Sequence, residues 1–224
     1  MARFLRFNSL SLFFLFIFLA AIVAQSIVGL HAYNEEAVQH AQETISWSRY
    51  VYTSEFGAAV LENWQSEWLQ FCLFTLMTVW LLQEGSPESK PLDQAGLESD
   101  EQQKVGPGAD SRSPLWARVG GLRTRIYENS LLIAFTVIFF GSWLAQALTG
   151  WTEYNNEQEE HRDTPISLAT YLTRPDFWEK TLQNWQSEFL AVGTMAVLAI
   201  YLRQRGSPES KPVGARHDET GSTG

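Results

Sequence analysis

The chain has 224 residues, of which 45% are hydrophobic, and a formal net charge of -9. This acidic balance excludes a nucleic-acid-binding function, because contact with phosphates needs clustered Lys and Arg. The single cysteine, Cys72, excludes an intramolecular disulfide and any metal site built from several thiolates.

The first predicted element is a membrane-spanning helix over Leu10–Leu30. This segment is free of charged residues and has the length of about 20 residues that a helix needs to cross a bilayer core of about 30 Å. The competing interpretation is a cleaved signal peptide, since Arg3 and Arg6 precede the apolar run and Ala24 could end a cleavage site. We favour a span, because the apolar part of a signal peptide usually has only about 7–15 residues.

A shorter apolar run, Trp68–Leu82, follows a polar loop over residues 31–63. Extending this run N-terminally to about 20 residues predicts a second span over about residues 64–83. The extension places Glu67 inside the outer interface, unless the bilayer is locally thinner. We therefore predict a first two-helix membrane repeat over residues 1–92.

The sequence GSPESKP, Gly85–Pro91, is predicted to end this second helix. Gly85 fits a left-handed helix cap, and Pro87 prevents the helix from continuing. Residues 93–121 are rich in Glu, Gln, Gly and Ser and are predicted to form a disordered cytoplasmic linker.

The rest of the chain repeats the first part with an offset of 121 residues. Of the 89 positions from Phe4 to Leu92, 33 are identical to their partner. This duplication predicts a second two-helix membrane repeat and, after it, a disordered tail. The repeat is predicted over residues 122–212, its spans over about 131–151 and 185–203, and the tail over 213–224.

The distribution of Lys and Arg predicts the orientation of the helices. The loops 31–63 and 152–184 carry 4 of the 16 basic residues, whereas the termini and the linker carry the other 12. Since basic residues accumulate on the cytoplasmic side, we expect both termini in the cytoplasm and both loops outside. The predicted fold class is an all-α membrane protein, a four-helix bundle in which two tandem parallel-repeat hairpins supply four transmembrane helices.

Polar residues that recur at one depth of the predicted spans are the strongest candidates for a functional site. A charged residue at the centre of a membrane helix costs about 2.5–3.5 kcal/mol on insertion scales. A polar ring around the pseudo-twofold axis could carry protons, hold a cation, join helices by hydrogen bonds or lie exposed at the interface. The candidate ring residues are Glu67, Glu188, Gln25, Gln146, Asn63 and Asn184.

Small residues four positions apart let two membrane helices approach closely. They predict that the first helices of the two repeats pack against each other near the axis. The predicted packing seam comprises Ala20, Ala24, Gly29, Gly141, Ala145 and Gly150.

A helix end needs one Gly and one Pro, not seven identical residues in both copies. The GSPESKP sequences therefore leave open a cytoplasmic docking or modification site. Its candidate residues are Ser86, Glu88, Lys90, Ser207, Glu209 and Lys211.

Glu36 and His40, and likewise Glu157 and His161, are four residues apart. Two such pairs could hold a metal, but we favour a solvated helix surface because the surrounding sequence is polar. The sequence contains no phosphate loop, no nucleophile motif and no zinc motif. We therefore predict no enzyme activity, no catalytic residue, no cofactor and no resident metal.

The motifs Tyr-Asn-x-Glu, Asn-Trp-Gln-Ser-Glu and Gly-Ser-Pro-Glu-Ser-Lys each occur twice between Phe4 and Pro212. In this respect the chain resembles an uncharacterised bacterial family of integral membrane proteins, a domain of unknown function. The resemblance implies a multi-pass protein of the bacterial plasma (inner) membrane, and it implies no activity.

Two main hypotheses about function follow. The first is a non-catalytic scaffold or accessory component of an envelope complex, with the lipid bilayer and a membrane or cytoplasmic protein as partners. The second is a small ion- or proton-coupled transporter or channel that uses the paired glutamates. A membrane enzyme would need polar residues that converge on a substrate path, which the sequence does not reveal.

Overall fold

Within residues 2–221, the part of the chain that the computed structural model describes, the regular elements are helices and none is a strand. A 3-10 helix, Gly106–Gly108, separates the first four α-helices from the rest. The α-helices are α1 (Ala2–Phe7), α2 (Ser9–Gln39), α3 (Trp47–Tyr50), α4 (Ser54–Met77), α5 (Leu115–Arg118), α6 (Gly121–Glu128), α7 (Ser130–Glu160), α8 (Leu168–Tyr171) and α9 (Pro175–Tyr201).

The two long apolar helices are α2 and α7, and they contain the predicted spans 10–30 and 131–151. Each has 31 residues, or about 46 Å of helix, against a bilayer core of about 30 Å. In its most apolar stretch, α2 has only 6% of residues buried and α7 has 22%. Both helices are therefore long and apolar enough to cross a membrane, and most of their apolar surface has no protein cover.

The helix boundaries recur with the sequence offset. Under a shift of 121 residues, α2 coincides with α7 and α3 with α8. Asn8 and Asn129 each stand immediately before a long helix and donate through Nδ2 to the carbonyls of Phe4 and Arg125, at 2.8 and 2.9 Å. The repeated Asn-Ser-Leu sequence thus marks the same break between a short helix and a long one.

The second long helix ends differently in the two copies. Whereas α9 continues to Tyr201, close to the predicted end of its span, α4 ends at Met77, well before residue 83. Thr78 Oγ1 donates to the Phe74 carbonyl at 2.8 Å, and a β-branched Thr disfavours continuation of a helix. Ala199, the best helix former, stands at the equivalent place in α9.

Arg203 stabilises the C-terminal end of α9. Its Nη1 donates to the carbonyls of Ala199 and Ile200, at 3.3 and 3.0 Å, which satisfies groups that the helix leaves unpaired. The predicted cap at Gly85 is wrong in position, because Gly85 and its repeat partner Gly206 lie in the loops beyond the helices, with φ of +81° and +80°. The left-handed conformation predicted for Gly85 is confirmed.

The start of α9 agrees with the sequence. Pro175 occupies the first turn, where proline is favoured, and Asp176 supplies its acidic residue. Arg174 pairs with Asp176 at 3.5 Å.

The described residues form two compact units. Unit 1 takes in residues 2–60 and 148–166, and its buried core includes Tyr50 and Ala58. Unit 2 takes in residues 61–147 and 167–221. In unit 2, buried Phe177 stacks on Trp143 with ring centroids 6.1 Å apart.

The predicted linker and tail contain little helix. Between residues 93 and 120, the longest described helix has four residues, and the rest is turns and irregular chain. Residues 213–221 of the predicted tail form turns within unit 2 that are described below. Residues 222–224 of the predicted tail lie outside the described part of the chain, and the repeat boundaries stay a prediction.

Candidate functional site

Two asparagines close the loops that follow α2 and α7 in unit 1. Asn34 Nδ2 donates to the Ile45 carbonyl at 3.0 Å, and Asn34 Oδ1 accepts from the Ile45 N–H at 2.8 Å. Asn155 makes the same two bonds with Ile166, at 3.0 and 2.9 Å. Each side-chain amide replaces a backbone partner, so the Tyr-Asn-x-Glu motif has a structural role. In the sequence, this contact is indicated by Ile45 and Ile166, which occupy equivalent positions in the two repeats.

Tyr50 anchors α3 against α2. Its side chain is buried, with ring centroids 5.8 and 5.5 Å from those of Tyr33 and Phe56. A Cβ added at Gly29 would overlap the Tyr50 hydroxyl, which explains a glycine here. Burial, and after it the charge of Glu55, raise the pKa of Tyr50 above its ordinary value, so the phenol stays neutral in physiological conditions.

Unit 1 also contains an acidic pocket of about 430 Å³. Both Glu36 and His40 line it, whereas only Glu157 of the second predicted pair does. His40 Nδ1 lies 3.0 Å from the Glu36 carbonyl oxygen, so this nitrogen donates to the backbone. Among the described residues, no group of three or more His, Cys, Asp or Glu could hold a metal ion. The lining residues are Tyr33, Glu36, Ala37, His40, Gln42, Thr53, Ser54, Glu55, Glu153, Asn156, Glu157 and Glu160.

The Asn-Trp-Gln-Ser-Glu motifs of α4 and α9 meet in unit 2, but they do so asymmetrically. Gln65 and Ser66 of the first copy are 0% and 1% exposed, whereas the matching Gln and Ser of the second copy are exposed. Trp185 Nε1 donates to Gln65 Oε1 at 2.8 Å, and the Ser66 hydroxyl donates to the Asn63 carbonyl of its own helix at 2.8 Å. Gln65 and Ser66, the buried polar residues of the first copy, lie between Asn63 and Glu67 inside the repeated motif. The sequence did not identify these two residues as candidates.

The two ring carboxyl groups, Glu67 and Glu188, both belong to unit 2. Glu67 is exposed, Glu188 is half-buried, and the two interact electrostatically. Glu62, one turn before, pairs with Lys180 at 3.3 Å. A carboxylate pair of this kind could share a proton or attract a cation.

The other predicted ring residues have different environments. Gln146 is buried and Asn184 is half-buried in unit 2, where Asn63 is exposed; Gln25 is exposed in unit 1. A complete ring of six stays a prediction.

The residues of the predicted packing seam also differ in burial and in contacts. Gly29 meets Tyr50, whereas a Cβ added at Gly141 would meet open space. Of the rest, Ala20 and Ala24 are exposed, Ala145 is half-buried and Gly150 is buried. Close packing of the first helices of the two repeats stays a prediction.

The two GSPESKP loops fold alike. Ser89 Oγ accepts from the Gln83 N–H at 3.0 Å, and Ser210 Oγ accepts from the Gln204 N–H at 2.9 Å. Each of these hydroxyls donates to the carbonyl of the lysine that follows, at 3.0 and 3.1 Å. Much of the sequence identity therefore maintains one loop conformation.

The lysine of each loop holds the turn that follows. Lys211 is 1% exposed, and burial, followed by the charge of Arg203, lowers the pKa of its ammonium. Lys90 donates to the Gly96 carbonyl at 3.0 Å and pairs with Glu98 at 2.9 Å. Lys211 Nζ donates to the carbonyls of Arg216, His217 and Glu219 at 3.0, 3.0 and 3.1 Å.

The candidate docking residues differ in accessibility. Ser86 is 1% exposed, like Lys211. Glu88, Lys90 and Ser207 are half-buried, and Glu209 is exposed. Burial, with Glu209 as the second cause, raises the pKa of Glu88. Residues 216–220 contact both loops, because Lys211 donates to the carbonyls of this segment and Gly85 donates to Thr220, so the two loops are near each other in unit 2.

These features define an all-helical protein with two helices that could cross a membrane and two copies of one polar loop. Over residues 1–222 the chain matches the family described as Domain of unknown function (DUF6766), and it belongs to that family. No curated protein and no solved structure matches the chain.

Proposed function

We propose that this chain is a four-span protein of the bacterial plasma membrane with both termini in the cytoplasm. The uncovered apolar surfaces of α2 and α7 support the membrane location. α4 and α9, with 24 and 27 residues, have lengths of about 36 and 40 Å, sufficient to cross a bilayer core of about 30 Å. The family resemblance is the support for a bacterial membrane.

We further propose that the protein binds another protein, as a scaffold or accessory component of an envelope complex, and does not act by catalysis. The observation that supports this proposal most strongly is the pair of GSPESKP loops, each of which is held in one conformation by hydrogen bonds. A preformed loop loses little conformational entropy when a partner binds. The position of these loops on the side that carries most Lys and Arg suggests a cytoplasmic partner.

Site-specific photo-crosslinking in cells tests this function. A photoreactive amino acid at Glu209, which is exposed, should capture one partner of defined mass; the same amino acid at exposed Gln42, in the loop after α2, is the control. A chain that purifies as a monomer or homodimer and gives no product specific to Glu209 would contradict the proposal.

A second function, ion or proton transport, is favoured by the electrostatic interaction of Glu67 and Glu188 in unit 2. Carboxylates within a membrane protein commonly mark ion or proton paths. Proton and cation flux should then be measurable in liposomes that contain the purified protein, and Glu67→Gln with Glu188→Gln should abolish it. Equal flux in protein-free liposomes would exclude this function.

A further inference from the structure

The first GSPESKP loop is covered by a segment of the same chain. The Gly85 N–H donates to Thr220 Oγ1 at 2.8 Å, and the Gly221 N–H donates to the Ser86 carbonyl at 3.0 Å. A Cβ added at Gly221 would lie 3.1 Å from the Ser89 carbonyl oxygen, so the loop receives a Thr followed by a residue without a side chain. Thr-Gly is thus the dipeptide that this loop binds.

The second loop has the same sequence and the same internal bonds, but its equivalent surface is open. A Cβ added at Gly206 would have nothing within 4 Å among the described residues, where Gly85 is in close contact with the chain end. A groove of about 340 Å³ lies at this place. Arg205, Gly206, Ser207, Ser210, Lys211 and Pro212 are among the residues that line it.

One difference between the loops concerns charge. Arg205 in the second loop stands where the first loop has Glu84, and both side chains are exposed. The segment on the first loop carries Asp218 and Glu219 directly before Thr220. An acidic residue before Thr-Gly therefore has a better electrostatic complement at the second loop than at the first.

We infer that the groove of the second GSPESKP loop binds an extended segment of a partner protein in which an acidic residue precedes Thr-Gly. The Gly206 N–H would donate to the threonine hydroxyl, and the Ser207 carbonyl would accept from the glycine N–H, as in the first loop. Arg205 sets the preference for the acidic residue. This inference rests on the proposed scaffold function and specifies its docking site.

A peptide with the sequence of residues 217–221, blocked at both ends and labelled with a fluorophore, tests the groove on the full chain in detergent. We expect saturable binding at one site, weakened at least about tenfold by Arg205→Glu, because this substitution replaces a charge that attracts the acidic residue with one that repels it. The matched control is Glu84→Arg at the first loop, which should leave the affinity unchanged. A peptide with Val in place of Thr should bind more weakly. No saturable binding, or equal affinity in Arg205→Glu, would overturn the inference.

Stoichiometry provides an independent check. Gly221 has φ of +75° and contacts the first loop. Gly221→Val should therefore displace residues 220 and 221 from the first loop and leave that loop open. The number of peptide sites should then rise from one to two. A count of one, with an affinity that Glu84→Arg changes and Arg205→Glu does not, would mean that the peptide only replaces residues 220 and 221 at the first loop.

The inference and the proposed function fail in different ways. If the crosslinked partner at Glu209 persists in Arg205→Glu and the peptide does not bind, the scaffold function stands and this docking site is wrong. If no partner is crosslinked and the peptide does not bind, both are wrong. Loss of the partner and of the peptide together in Arg205→Glu supports both.

Discussion

A buried ammonium is unfavourable unless its protons find acceptors. Lys211 satisfies this condition with three backbone carbonyls. Lys90, at the equivalent position, has one backbone carbonyl and the carboxylate of exposed Glu98 as acceptors. We predict that Lys211→Met increases amide hydrogen exchange of residues 215–221 by about tenfold to a hundredfold, because a hydrogen bond to a charged group contributes about 1.5–3 kcal/mol. Lys90→Met is the matched control and should affect residues 94–98 less. Equal effects in the two loops would show that burial of Lys211 has no special role.

A second prediction at the scale of residues concerns pH. Burial and Glu209 raise the pKa of Glu88, so the folded loop favours the protonated carboxyl. The stabilisation from this group is complete below the ordinary pKa of a glutamate and is lost as the pH rises through the higher folded value. We therefore expect Glu88→Gln to slow exchange of the loop amides at neutral pH and to flatten their pH dependence. Glu84→Gln, on an exposed side chain of the same loop, is the control, and an identical response would contradict the assignment.

These residue contacts were beyond sequence reasoning for a physical reason. The duplication identified Lys90 and Lys211 as candidate docking residues, but composition alone predicted disorder for the segments that they hold. Charged and polar residues near Gly and Pro are typical of disordered chain and equally typical of loops closed by side-chain to backbone bonds. The difference depends on which carbonyls lie within reach of an ammonium, which the linear pattern does not contain.

At the scale of elements, we predict that alanine substitutions of two glycines of the predicted seam change the thermal stability in opposite directions. Gly29→Ala should lower the Tm by several degrees, because its Cβ would overlap the buried Tyr50 and overpacking costs about 1–3 kcal/mol. Gly141→Ala should leave the Tm unchanged or raise it, since its Cβ meets open space and Ala in a helix is more favourable than Gly by up to about 1 kcal/mol. Thermal unfolding of both variants in detergent measures this. A loss of stability in Gly141→Ala would instead support the predicted packing of the first helices.

The long helices show where a sequence pattern is sufficient. Apolar runs of about 20 residues have no economical state other than helix in lipid, and α2 and α7 contain the predicted spans. The end of α4 was predicted too late because Thr78 and Ala199 look equivalent in an apolar run, although their helix propensities differ. The contact of Gln65 with Trp185 was missed because it breaks the symmetry that the duplication suggests.

At the scale of the molecule, the number of membrane crossings is the property to test. Two candidate spans are apparent from composition, α2 and α7, while α4 and α9 carry Glu67 and Glu188 within their length. A four-span chain places residue 43 outside and residue 101 in the cytoplasm. If only α2 and α7 cross, residues 43 and 101 lie on the same side.

Single cysteines distinguish these topologies. In a Cys72→Ser background, Glu43→Cys and Glu101→Cys introduce a thiol at exposed positions of the first loop and of the linker. We predict that a membrane-impermeant maleimide labels the first variant in intact spheroplasts and the second only after permeabilisation, because two crossings, α2 and α4, would return the chain to the cytoplasm before residue 101. Labelling of both variants in intact spheroplasts would reduce the crossings to two and would place the first GSPESKP loop outside. The two loops would then lie on opposite sides of the membrane, which is incompatible with the contacts that residues 216–220 make with both of them in unit 2.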